Sequence, residues 1–145
     1  MLTCTRRLQW CMGHRVYGHE NKCGHLHGHN YVGFFTANAE ELDPQGRVID
    51  FAALKQKIGG WIDAHWDHGF VLWEKDPAAD LVRSCPDVPG GRQKTYLTPY
   101  NPTGENLARY LGEEILPGLL GDTGIKIVHI KLYETENGIA DWGTA

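Results

Sequence analysis

His27-Gly28-His29 sets two imidazoles two residues apart, with His14 upstream and Cys23 four residues before the pair. Side chains on an extended strand alternate faces, so His27 and His29 would project to the same side. Neutral imidazole is a preferred zinc donor. Three histidines leave the fourth tetrahedral position open, as in catalytic rather than structural zinc sites. His19 and His25 also lie nearby, and His25 shares the phase of the pair, so spacing alone leaves the choice of three open. A shell closed by Cys23 would be structural and would exclude substrate.

The elements that must carry these residues can be read from periodicity. Leu2, Cys4, Leu8 and Trp10 alternate with Thr3, Thr5 and Arg7, which predicts a half-buried strand over residues 2–10. A second strand is expected over 27–37, with His27, His29, Tyr31, Gly33 and Phe35 on one face, and a polar link over 13–26 between the two. Asp50 reads as a helix N-cap ahead of an apolar stripe of Phe51, Leu54, Ile58, Trp61 and Ile62. A second helix is expected from Thr103, with Leu107, Tyr110, Leu111 and Ile115 buried and Pro117-Gly118 as its end. Alternation over 125–134 and the turn signal Asn137-Gly138 predict a closing hairpin, with a last strand over 139–143. Two strands, two helices and two strands argue α+β, an antiparallel sheet covered on one side by helices. Open sheet edges predict a homo-oligomer. Residues 74–101, rich in Asp, Pro and Gly, read as a long surface excursion, a feature often used as a functional lid.

The chain's 145 residues suit one domain, 1–145, with its own core. Cys4, Cys11, Cys23 and Cys85 form no C-x-x-C pair or disulfide framework, so a reducing, cytoplasmic setting is expected. No apolar run has signal-peptide or membrane-spanning length, which predicts a soluble protein without a membrane partner. Fourteen basic against eighteen acidic side chains, with no basic cluster interleaved with aromatics, argue against nucleic acid. An anionic small substrate would need local attraction from the metal and residues such as Arg15 and Lys22.

Six segments then stand out in order: Gly13-His14-Arg15, 22–29 (KCGHLHGH), 48–51 (VIDF), Trp66-Asp67-His68, 101–106 (NPTGEN) and Tyr133-Glu134-Thr135. Together they resemble the 6-pyruvoyltetrahydropterin synthase and 6-carboxytetrahydropterin synthase family, with residues 74–100 looking like an insertion relative to compact members. The resemblance implies a tunnelling fold (T-fold) of ββααββ protomers, joined as trimeric barrels that stack into a hexamer with active sites at subunit interfaces. It implies zinc on His14, His27 and His29, leaving His19 and His25 outside the metal. It further implies Cys23 as the proton-transferring thiol, Asp67 and His68 as a relay reaching in from a neighbouring subunit, and Glu134 as the carboxylate that grips the pterin ring.

Each implied role has a physical basis. A carboxylate can accept both the ring N-H and the adjacent exocyclic amine of a pterin. A thiol near a metal or an imidazolium becomes available as a thiolate base, and an imidazole oriented by an acid can hold or return a proton. The spacing C-x3-H-x-H is similar to bacterial 6-carboxytetrahydropterin synthases. The implied reaction converts 7,8-dihydroneopterin triphosphate to 6-carboxy-5,6,7,8-tetrahydropterin, releasing acetaldehyde and triphosphate, on the route to 7-deazaguanine and queuosine. The pyruvoyl-forming reaction is the alternative within the family. A non-catalytic zinc or pterin-binding module is the alternative outside it.

Overall fold

The computed structural model describes residues 1–144. β1 (Thr3–His14) and β2 (His27–Asn38) pair antiparallel over their full lengths, from Thr3 opposite Asn38 to His14 opposite His27. The alternation that begins at Leu8 continues through Trp10, Met12 and His14, all buried, so β1 runs four residues beyond the expected strand. The link between the two strands is correspondingly shorter than expected, and His14 stands on a strand instead of in a loop.

β5 (Lys126–Thr135) and β6 (Gly138–Gly143) form the expected closing hairpin, and β5 lies antiparallel to β2. The other side of the sheet departs from the expected plan. β3 (Gly69–Trp73) runs parallel to β1, and β4 (Thr95–Thr98) runs parallel to β3, giving the order β4-β3-β1-β2-β5-β6. The sheet is therefore mixed and six-stranded, not wholly antiparallel. The expected excursion begins as β3 ends, but it carries a short helix, Ala79–Arg83, and the edge strand β4. Asp, Pro and Gly around these pieces masked them, because a four-residue edge strand offers almost no alternation to detect.

Two long helical runs cover one face of the sheet. The first, residues 51–65, opens with the Asp50 carboxylate accepting the Ala52 N-H at 2.9 Å and contains a π segment, Lys55–Gly59. The second, residues 104–119, opens with the Thr103 hydroxyl accepting from the Asn106 N-H. It continues through Pro117, where the sequence predicted its end. A π segment at Leu111–Ile115 reshapes the hydrogen-bond ladder just before the proline, whose missing N-H would break a regular one. In that segment a Cβ on Gly112 would lie 2.5 Å from the Trp142 ring of β6, so only glycine lets helix and strand approach this closely. Leu54, Ile58, Ile62, Leu107, Leu111 and Leu116 bury against Trp10, Tyr31, Phe35, Ile130 and Leu132 of the sheet. Trp66, fully buried, packs on Trp10, Trp61, Tyr96 and Tyr110. On the opposite face the short helix Ala79–Arg83 packs over β3 and β4, with Ala79 and Val82 against Leu72.

Candidate metal centre and active site

The β1–β2 ladder creates the centre. His14 and His27 are cross-strand partners, and His29, two residues on, faces the same side, so three rings converge at one end of the hairpin. Their centroids lie 4.7 Å (His14 to His27), 5.1 Å (His14 to His29) and 4.9 Å (His27 to His29) apart. One ring nitrogen from each lies within 4.8 Å of the other two. His19 and His25 do not join this group.

The side chain of His14 is 1% exposed. Its Nδ1 meets the Pro102 carbonyl at 2.9 Å, while its buried Nε2 has no hydrogen-bond partner. Burial pushes His14 down to about 4, against the Pro102 contact and with help from the neighbouring His27 and His29. Burial, then His27, also lowers His29. Both shifts favour the neutral form of His14 and His29. An Nδ1-H given to Pro102 leaves the Nε2 lone pair facing the other two rings, and the Nδ1 of His27 meets the His25 carbonyl at 2.6 Å in the same manner. Three converging imidazoles, of which His14 and His27 are oriented by carbonyls, with the orphaned buried Nε2 of His14 between them, fit a bound metal ion.

Pro102 is a participant that the histidine spacing could not reveal, being 88 residues from His14. Its segment is strapped to the chain beyond β1. The Asn101 amide accepts from the Tyr17 N-H at 3.0 Å and donates to the Tyr17 carbonyl at 2.9 Å, and the Asn106 amide donates to the Asn101 carbonyl. Tyr31 was likewise read only as a strand residue. Its buried hydroxyl lacks a partner, and its ring meets those of His14 and His29 edge to face at 5.9 and 5.5 Å.

Glu134, near the end of β5, places Oε1 3.9 Å from His14 Nε2 and Oε2 3.9 Å from His29 Nε2. Burial, then repulsion from Glu105, raises its carboxyl above the ordinary range, with His27 opposing. The β5 strand thus puts a partly desolvated carboxylate beside the three rings. Such a group gains from paired N-H donors or a cation.

Cys23 sits on a 3₁₀ turn, Lys22–Gly24, half-buried, with its carbonyl accepting the Val16 N-H at 2.9 Å. Its sulfur is not in the cluster of potential ligand atoms, which among the described residues is made of the three histidines. Asp67 and His68 do touch: His68 Nδ1 lies 3.0 Å from Asp67 Oδ2, while Asp67 Oδ1 accepts the Cys11 N-H at 3.0 Å. His68 is hydrogen-bonded beside Cys11, three residues along β1 from His14, a separation on the order of 10 Å. Its ring is 78% exposed. Within one protomer the pair stands apart from the histidine cluster. Arg15, expected to attract an anion, is instead committed to the buried Asp76 carboxylate, with Nε at 2.8 Å from Oδ2.

Against known proteins, residues 3–144 match the family model described as 6-pyruvoyl tetrahydropterin synthase. The chain is 42% identical over 137 residues to a protein from Rickettsia typhi named 6-carboxy-5,6,7,8-tetrahydropterin synthase, covering 94% of this chain and 96% of the relative. It is 32% identical over 127 residues to a protein of the same name from Aquifex aeolicus, covering 84% of this chain and 76% of the relative. Among solved structures it superposes on an uncharacterized protein from Wolinella succinogenes with a TM-score of 0.82 at 23% identity, covering 99% of this chain and 98% of the other. It superposes on the 6-pyruvoyl tetrahydropterin synthase of Caenorhabditis elegans with a TM-score of 0.69 at 23% identity, covering 99% and 96%.

Proposed function

Because this chain belongs to the 6-pyruvoyl tetrahydropterin synthase family and has its α+β tunnelling fold, we propose that it is a zinc-dependent 6-carboxytetrahydropterin synthase. Membership makes it an enzyme of pterin synthesis. The finer reading is a carbon-carbon lyase that converts 7,8-dihydroneopterin triphosphate and water to 6-carboxy-5,6,7,8-tetrahydropterin, acetaldehyde and triphosphate, on the route to queuosine, in the cytoplasm. Relatives at 42% and 32% identity that carry the carboxy-synthase name favour it. The convergence of three imidazoles on one point beside Glu134, two of them oriented by carbonyls, carries the chemical side of the proposal.

In this reading His14, His27 and His29 hold the zinc. Bound there, zinc supplies Lewis acidity toward the hydroxyls of the substrate side chain. Glu134 accepts the pterin's ring N-H and exocyclic amine, which repays the desolvation of its carboxylate and fixes the ring against rotation. Cys23, outside the ligand cluster, removes a carbon-bound proton from the side chain. His68, with its Nδ1-H directed at Asp67, presents Nε2 to hold or return a proton. Its exposure and its distance from the histidines favour service to a neighbouring protomer's site in a hexamer.

Incubating the zinc-loaded protein with 7,8-dihydroneopterin triphosphate tests the proposal by product identification. Acetaldehyde with a 6-carboxypterin is expected. The name of the family model favours a second reading, and a pyruvoylpterin would select it. Unconsumed substrate would overturn both.

A further inference from the structure

Residues 74–100 contribute a cation to the turn that carries Asp67 and His68. Lys94, immediately before β4, donates from Nζ to the Asp63 carbonyl at 2.7 Å and to the Asp67 carbonyl at 2.5 Å. The first of these carbonyls belongs to the last turn of the first long helix, where C=O groups have no helical partner. The second belongs to the residue whose carboxylate orients His68. The Lys94 backbone grips the same turn from the other side, its carbonyl accepting the Phe70 N-H at 3.0 Å.

Two further features belong to the same turn. A Cβ on Gly69 would lie 3.1 Å from Lys94 Cγ and 3.2 Å from its carbonyl oxygen, so glycine clears the path of the lysine stem. His68 holds φ at +60°, a region costly for any residue with a side chain, so surrounding contacts must impose it. Burial pushes the Asp67 carboxyl up, but the Cys11 N-H, the His68 ring and the Lys94 charge together bring it below the ordinary range.

We propose that Lys94 is a positioning residue for the proton relay: its ammonium fixes the 66–69 turn so that Asp67 holds the His68 imidazole with Nδ1-H inward and Nε2 free. This rests on the relay assignment above, and it gives the excursion a catalytic purpose without any contact between Lys94 and substrate. A plain helix cap would use the same lysine, so the test must read His68 and not stability alone.

Two measurements do so. The first follows the His68 ring nitrogens by NMR in wild type and Lys94→Met. An unconstrained imidazole favours the Nε2-H tautomer, whereas the Asp67 contact enforces Nδ1-H. Wild type should show Nδ1-H, and Lys94→Met, or Lys94→Gln should the first variant fold poorly, should shift toward Nε2-H. An unchanged tautomer overturns the proposal, and this readout does not depend on which pterin is the substrate.

The second is a double-mutant cycle in kcat. Lys94→Met should lower kcat about 10- to 100-fold, the scale of a misplaced catalytic group, with zinc content and KM near wild type. Little further loss should appear in a His68→Ala background. Equal losses in both backgrounds, or an undiminished kcat, overturn the proposal. Full activity in His68→Ala alone would instead sink the relay assignment.

Discussion

Glu134 has two possible roles at the same position, because its oxygens stand 3.9 Å from two of the ring nitrogens that would hold the metal. As the pterin anchor it needs two acceptors side by side, and glutamine offers only one. Glu134→Gln should therefore raise KM about 10- to 100-fold, the equivalent of one charge-assisted hydrogen bond, while zinc stoichiometry by atomic absorption stays at wild-type level. Zinc lost in parallel with activity would make Glu134 a ligand and not an anchor. At this scale the sequence was informative where geometry is local. His27 and His29 had to share a face because strand alternation demands it. His14 could be chosen over His19 and His25 only through the resemblance, and the structure supplies the reason: His14 is the cross-strand partner of His27. Pro102 was out of reach, since a carbonyl carries no residue-type signal and meets His14 only once the fold has formed.

Between elements, the Arg15–Asp76 pair ties the end of β1 to the turn that follows β3. Arg15 comes directly after a proposed ligand. Asp76 is buried, and its Oδ1 also accepts the Ala78 N-H at 2.8 Å. The Arg15 guanidinium, assisted by that N-H and opposed by burial, holds the Asp76 carboxyl below the ordinary carboxylate range. A carboxyl lowered in the folded state contributes stability that is complete above its unfolded value, near 4, and is lost as pH falls through the lower folded one. Asp76→Asn should cost about 3 kcal/mol near neutrality, as when one partner of a buried pair is removed. In urea titrations its deficit against wild type should shrink below about pH 4; a deficit constant down to pH 2 would show that the charge is not what matters. Neither the pair nor β3 and β4 were foreseen. Gly69 to Trp73 is a short apolar run without alternation, as befits a strand covered on both faces, Val71 by the long helices and Leu72 by the short one, and Thr95 to Thr98 is too brief to show a period. The outer hairpins and both helix starts were legible because caps, turn residues and alternation there all agree.

At the scale of the molecule, one protomer does not bring all the proposed groups together. Cys23 follows β1 by way of a turn tied to Val16, whereas the exposed His68 ring stands beside Cys11. The open strands β4 and β6 border the sheet, and the face turned away from the two long helices carries Val32, Phe34 and Tyr133 around a depression of about 260 Å³. Unpaired edges of this kind favour strand joining between copies. A site assembled from two copies makes a quantitative prediction. Cys23→Ala and His68→Ala should each keep no more than about a hundredth of wild-type kcat alone. When the two are co-expressed in equal amounts, a competent site needs intact Cys23 from one protomer and intact His68 from its neighbour. Random assembly then supplies both in about a quarter of sites, so the mixture should recover about a quarter of wild-type kcat per protomer. If both groups came from the same protomer, every site would carry one lesion and mixing would restore nothing. The recovered fraction, read alongside the mass of the mixed oligomer, therefore decides whether the relay crosses the subunit boundary.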